Sequence, residues 1–282
     1  MSFRFDRFEM KFLINAAQRA ALMEKLDPHL RPDANADETA FYPIVSMYYD
    51  SEDRDCYWEH QQELAFRKKL RVRVYGSLTG GLPPTSFIEI KHKDDKRGVK
   101  RRAQMPYQDA IRVGQGEWPQ DVAFGDMARR TIEEAHDFVK RRQWKPVLVM
   151  RYDRRAYAAI DPACDLRITF DTGIAYRFHN LNPVPDDQGF EPSDYLYPDD
   201  ISVLEVKFTE RVPYWVSKVI GETGCVLRSH SKYSSALERS DPVLRSMVPA
   251  DWQPPTQVFK FREVDSVSAM VDSQLEPADI AG

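Results

Sequence analysis

Excess positive charge is missing from this chain: 40 Lys and Arg against 44 Asp and Glu leave a formal net charge of -4. That balance argues against a whole-protein attraction to nucleic acid, which shows as a basic surplus or a basic face, so any anion site must be local. Cysteine is scarce as well. Cys56, Cys164 and Cys225 are odd in number, far apart and without metal-ligand spacing. They suggest neither a disulfide framework nor a zinc site, and a reducing compartment fits. Long apolar runs are absent too; the longest, such as 147–150, cannot span a bilayer, and no charged n-region with an apolar h-region opens the sequence. These absences predict a cytoplasmic chain without a transmembrane segment, still free to meet a membrane-bound partner. There is also no glycine-rich loop of the Walker or dinucleotide type, so a nucleotide would have to bind without a P-loop.

What is present is enough for a core: 42% of the 282 residues are hydrophobic and 30% charged. Length leaves one or two domains open. A composition shift from Pro249 onward, through Pro254-Pro255 into an aperiodic Ser, Asp and Glu-containing stretch, divides a single domain over 1–248 from a flexible tail over 249–282.

Within the body, apolar residues alternate with charged ones, the period of half-buried strands. This predicts strands over 3–14, 42–50, 64–75, 86–93, 99–105, 147–160, 166–172 and 201–208. Helices are predicted from a cap at Asn15 to Leu26, over 126–144, and from Pro213 to about 222, stopping near Gly224. The Pro, Asp and Asn-rich stretches 31–40 and 180–200 read as loops.

The polar faces of these strands carry the information. Lys69, Arg71 and Arg73 share one side of a strand and Leu70, Val72 and Val74 the other. The same parity groups Glu89, Lys91 and Lys93; Arg7, Glu9 and Lys11; Arg167, Thr169 and Asp171; and Glu205 with Lys207. For one strand, the simple reading is an antiparallel sheet with one solvated face. For the set, Arg at matched spacing with Glu over several strands suits a closed barrel whose charged faces point inward around a hydrated cavity. Arg offers a planar fork and Lys a mobile point charge, a mixed lining suited to several phosphoryl oxygens, and carboxylates among them suit Mg²⁺ or Mn²⁺ bridging to phosphate. The basic run 91–102 is interrupted by acids and has no aromatic stacking platform, so it reads as a hairpin and not a nucleic-acid patch. His92, His136, His179 and His230 show no metal spacing.

Several short motifs occur in an ordered series: Arg7-Phe8-Glu9-Met10-Lys11, Ser46-Met47-Tyr48-Tyr49-Asp50, Lys69-Leu70-Arg71-Val72-Arg73-Val74-Tyr75 and Glu89-Ile90-Lys91. They continue through Arg151-Tyr152, Arg167-Ile168-Thr169-Phe170-Asp171, Leu204-Glu205-Val206-Lys207-Phe208 and Ser231-Lys232-Tyr233. This series, over about residues 3–237, resembles the VTC domain, the catalytic domain of the vacuolar transporter chaperone complex and a triphosphate tunnel metalloenzyme. The resemblance implies an α+β fold built on a closed eight-stranded antiparallel tunnel with flanking helices. It also implies a divalent metal and transfer of the terminal phosphate of ATP to a growing polyphosphate chain.

By position, it carries phosphate binding onto Lys11, Arg71, Arg73, Lys91, Arg151, Arg167 and Lys232, and metal binding onto Glu205. Strand parity adds Lys69 and Lys207 as phosphate ligands, and Glu9 and Glu89 as further metal candidates. The first-strand motif departs from the Glu-x-Glu-x-Lys of the cyclase and thiamine triphosphatase branch, which favours the polymerase branch. A hydrolase of triphosphate or short polyphosphate, and a non-catalytic polyphosphate-binding module, stand beside the polymerase as alternatives.

Overall fold

The computed structural model describes residues 8–34, 36, 38–75, 86–94, 97–120, 124–184, 189–228, 230–241 and 244. The chain runs β1 (Phe8–Ile14), α1 (Ala16–Leu26), β2 (Leu30–Pro32), β3 (Phe41–Asp50), α2 (Asp55–Gln61), β4 (Phe66–Tyr75), β5 (Ser86–Asp94) and β6 (Arg97–Met105). It continues through α3 (Tyr107–Gly114), α4 (Asp126–Lys140), β7 (Lys145–Ala159), β8 (Leu166–Arg177), β9 (Ser202–Phe208), α5 (Tyr214–Glu222) and α6 (Lys232–Ser240). One antiparallel sheet holds all the strands in the order β1-β9-β8-β7-β3-β4-β5-β6, with β2 attached to β7. This is a mixed α/β fold with a large antiparallel sheet and flanking helices. Residues 3–7 of the first expected strand and the expected tail lie outside the described residues.

Side-chain parity divides the sheet into an apolar outer face and a charged face, and the helices cover the apolar one. On β1, β8 and β9 the apolar side chains Phe12, Ile168, Phe170, Leu204 and Val206 pack with Leu22 and Leu26 of α1 and with Val216, Val219 and Ile220 of α5. On β3 to β6, Leu70, Val72, Ile88, Ile90 and Ala103 join Val113 of α3 and Ile132, Ala135 and Phe138 of α4. Full burial of such side chains contributes about 1.5–3 kcal/mol each, and this removal of apolar surface holds the helices against the sheet.

Local signals set the boundaries. Asn15 Oδ1 accepts the Gln18 amide at 2.8 Å while Gln18 Oε1 accepts the Asn15 amide at 3.1 Å, a reciprocal cap that starts α1 where the sequence predicts it. Gly114 ends α3 against the sheet, and a Cβ there would meet the Tyr49 hydroxyl at 1.9 Å, so the close approach requires glycine.

Three differences from expectation have physical reasons. Residues 30–32 pair with 157–159 as β2, which carries strand pairing into the first residues of the stretch 31–40 expected to be a loop. The eighth strand runs on to Arg177, past an irregularity at which Arg151 pairs Ala175 and Asp153 pairs Thr172. The extra β8 residue is taken up at Gly173, whose φ of 55° is cheap for glycine. Closure by a ladder is the third: among the described residues no hydrogen-bonded pairing joins β1 to β6. The sheet nevertheless curls far enough for Lys91 of β5 to reach Glu9 of β1 at 3.3 Å. The free side of β1 is partly occupied from within the chain, since Phe12 bridges Leu227 and the Arg228 amide donates to Lys11 O at 2.9 Å. No described helix is long and apolar enough to cross a membrane.

Candidate functional site

Pairing register decides which charged side chains meet. Glu9 faces Lys207 and Lys11 faces Glu205 across β1 and β9, while Thr169 faces Glu205 and Arg167 faces Lys207 across β8 and β9. On the other half, Arg71 faces Glu89 and Lys69 faces Lys91 across β4 and β5, and Lys91 faces Lys100 across β5 and β6. Because paired residues project to the same side, these side chains share the charged face.

On β8, β9 and β1 the centre is Glu205. Its Oε2 accepts from Lys207 at 3.0 Å and from Arg154 at 3.3 Å, and its Oε1 from Lys232 at 3.2 Å. Arg154 also grips Asp171 with a bidentate fork, at 2.6 and 2.7 Å, and Lys232 lies 2.6 Å from the same carboxylate. Burial opposes ionisation of Glu205, but Lys207, Lys232, Arg154 and Lys11 hold its carboxyl well below the usual range. Lys232, though buried, is held above the ordinary lysine value by Asp171 and Glu205. Glu9 lies 3.2 Å from Lys207, 3.3 Å from Lys91 and 3.6 Å from Lys11.

The β4, β5 and β6 side is organised around Glu89. Arg71 donates to it from Nε at 2.8 Å and from a terminal nitrogen at 2.7 Å, Arg73 Nε lies at 3.7 Å, and Lys100 of β6 takes the second oxygen. Desolvation would raise this carboxyl, yet Arg71, Arg73 and Lys100 hold it well below the ordinary glutamate value. Arg73 is 4% exposed and further donates to Ser46 Oγ and the Tyr152 hydroxyl, both at 3.0 Å. Tyr48 accepts from Arg71 at 3.1 Å; burial opposes its ionisation, but Arg71, Arg73 and Lys232 lower its hydroxyl to about 8. Lys69 meets a hydroxyl in place of a carboxylate: it donates to Ser231 Oγ at 3.0 Å, and burial lowers its ammonium to about 8.

The structure thus brings together Glu9, Lys11, Lys69, Arg71, Arg73, Glu89, Lys91, Glu205, Lys207 and Lys232. Arg167 shares this face and is held by Asp33 and the Tyr42 hydroxyl, each at 2.9 Å. Arg151 does not share it. Its register neighbours are Val45 and Ala175, it pairs with Asp153 at 3.2 Å, and the charged face of β7 is occupied by Tyr152 and Arg154 instead. The placement expected for Arg151 is therefore corrected in favour of Arg154, three residues on. Sequence parity also passed over Lys100 and the role of Asp171. The signal for Lys100 was present, since Lys100, Arg102 and Gln104 alternate with Val99, Ala103 and Met105. In β7 both parities carry arginine, so alternation there could not choose.

The metal expectation can be tested against the donors present. Among the described residues no three His, Cys, Asp or Glu side chains group as a ready-made metal site. Yet Thr169 Oγ1 is buried without a hydrogen-bond partner directly opposite Glu205, beside Asp171. An orphaned hydroxyl beside two carboxylates suits a hard, oxygen-seeking cation that completes its shell with water and phosphate oxygens.

The model of the VTC domain family matches residues 6–240. The chain belongs to the VTC domain family. Vacuolar transporter chaperone complex subunit 4 of Schizosaccharomyces pombe is 27% identical over 211 residues, which are 63% of this chain and 29% of that protein. The chain thus spans under a third of the length of this VTC relative. Among solved structures, a candidate adenylate cyclase from Bacillus halodurans aligns with a TM-score of 0.46 and 11% identity, covering 80% of this chain and 95% of that one. A Hippeastrum protein described as a candidate adenylyl cyclase with a dominant triphosphatase activity aligns at 0.46 and 14%, covering 83% and 96%.

Proposed function

We propose that the charged face of this VTC domain lines a closed tunnel for a phosphate chain, in which the terminal phosphate of ATP passes to a growing polyphosphate. The observation that carries this reading is the imbalance on β4 to β6, where Arg71, Arg73 and Lys100 converge on one carboxylate, Glu89, with Lys69 and Lys91 beside them on the same face. Gathering cations at this spacing, with Arg73 buried and Lys69 and Arg71 partly so, is costly unless an anion completes it. Membership of the VTC family and the S. pombe relative support a substrate of the polyphosphate and triphosphate class.

In this reading Arg71 and Arg73 fork onto non-bridging oxygens, and Lys69, Lys91 and Lys100 follow the chain along the same wall. From the facing side Lys11, Lys207, Lys232 and Arg167 supply further phosphate contacts. Arg154 keeps Asp171 and Glu205 ionised and aimed at the lumen. Glu205, with Asp171 and Thr169 and with Glu9 nearby, would hold Mg²⁺ or Mn²⁺, which supplies charge neutralisation at the transferred group. The protein's own part is to align acceptor and donor for in-line transfer and to stabilise charge with fixed cations, without covalent modification of a side chain. The reaction belongs in the cytoplasm, where ATP is supplied, and all three cysteines are free thiols.

The test is incubation of purified protein with γ-labelled ATP and Mn²⁺ or Mg²⁺, with products resolved on a gel beside a Glu205→Gln control. A labelled ladder that falls by about two to three orders of magnitude in the control is expected. Release of orthophosphate alone, most of all from added triphosphate, replaces the polymerase with a hydrolase. Tight polyphosphate binding without turnover replaces both with a binding module.

A further inference from the structure

Lys232 reaches the charged face from the first position of α6, so whatever fixes that helical turn also fixes the ammonium. The next side chain, Tyr233, is 2% exposed and turns away from Lys232 into the interior, where its hydroxyl donates to Asp50 Oδ2 at 2.5 Å. Asp50, fully buried at the end of β3, accepts the Ser51 and Cys56 amides on its other oxygen, at 2.8 and 2.9 Å. The carboxylate is thereby oriented by three donors and ties β3, the start of α2 and α6 into one unit.

The Tyr233 ring touches the opposite wall as well. It stacks on Tyr48 with centroids 5.5 Å apart, and Lys69 Nζ lies 5.5 Å from its centroid. Tyr48 in turn accepts from Arg71, and Lys69 donates to Ser231, the residue that caps α6 through the Ser234 amide. One phenol therefore contacts the supports of three cations, Lys232 on α6 and Lys69 and Arg71 on β4.

Resting on the phosphate-chain reading, we propose that Asp50 and Tyr233 are positioning residues, a buried latch that holds Lys232 across from Tyr48 and Lys69 at the spacing of a bound phosphate chain. A purely structural bond would stabilise the fold and leave the affinity for phosphate untouched. The hydroxyl bond to Asp50 instead acts through Lys232, while the ring contacts to Tyr48 and Lys69 stay in place without it, so removal of the hydroxyl matters only while Lys232 is there.

The experiment is a double-mutant cycle read by calorimetric binding of inorganic tripolyphosphate. Tyr233→Phe keeps the ring and its stacking and removes only the hydroxyl; it should weaken binding by about tenfold, the equivalent of one decade in Kd. In a Lys232→Met background Tyr233→Phe should cause no further loss. Undiminished affinity in Tyr233→Phe, or the same tenfold loss with and without Lys232, overturns the latch. Absence of tripolyphosphate binding by the wild type overturns the phosphate-chain reading instead. The latch is then decided by amide exchange without ligand: faster exchange over 232–236 in Tyr233→Phe upholds it and unchanged exchange removes it.

Discussion

On β8, β9 and β1, three carboxylates, Glu9, Asp171 and Glu205, stand among Lys11, Lys207, Lys232 and the Arg154 that reaches over from β7. On β4, β5 and β6, the strands' own contribution against Lys69, Arg71, Arg73, Lys91 and Lys100 is Glu89, and only Lys91 reaches a further carboxylate, Glu9 of β1. Both halves are built from the same residue types at the same strand parity, yet one is close to neutral and the other carries a surplus of positive charge. A nearly balanced half is a lock, because its carboxylates fix its cations; in the proposed reading a metal ion and phosphate oxygens enter it together and add little net charge. In the proposed reading the unbalanced half is a receptor, whose remaining counter-charge comes from a ligand.

The most severe way to break this comparison is to remove Arg154. Asp171 and Glu205 would keep Lys232 but lose their fork, so Arg154→Ala should destabilise the fold by about 3 kcal/mol, the lower end for a broken buried pair, measured by denaturant unfolding. A loss below about 1 kcal/mol, the level of a surface pair, would show that the balanced half is no lock.

A smaller effect should sharpen the receptor half. Burial holds the Lys69 ammonium near 8 in the free protein, and an incoming phosphate favours its charged form. Binding therefore takes up a proton around that pH. Affinity strengthens as pH falls from about 9 to about 7, with a slope that approaches about tenfold per pH unit at most. Phosphate ionisation adds its own slope, so the telling quantity is the difference between wild type and Lys69→Met, whose slope should be flatter. Equal slopes would remove Lys69 from the receptor.

The smallest expected effect belongs to Arg151→Ala. This residue stands on the opposite face beside Asp153, and its removal should change stability by less than about 1 kcal/mol and tripolyphosphate affinity by less than about twofold. A large loss of affinity would return Arg151 to the charged face.

Much of this was legible in the alternation of Lys69, Arg71 and Arg73 with Leu70, Val72 and Val74, because a side chain's face depends on counting by two. Asn15 and Pro213 marked two helix starts for equally local reasons. The short helices α2, α3 and α6 were not read, since seven to nine residues give periodicity little room and their stability comes from packing on the sheet. Arg154 escaped for a different reason. Along β7 arginine occurs at 151, 154 and 155, and only the pairing with β3 and β8 tells which one faces Glu205. For Lys100 alternation gave the face, but its contact with Glu89 needed the placement of β6 beside β5, a relation between segments that no single strand contains.

The contact between Lys91 and Glu9 has one more consequence. A β ladder is held by amides whose strength hardly depends on salt, whereas this clasp between distant ends of the sheet is made of two charges with Lys91 half exposed. Ions screen such a contact within about 10 Å at 0.1 M salt. In the proposed reading a polyanion arriving at Lys91 would compete with Glu9 for the same ammonium, so the cargo itself would loosen the fastening. The girth of the sheet at that point would then be set by what passes through it, in the manner of a drawstring and not of a hoop.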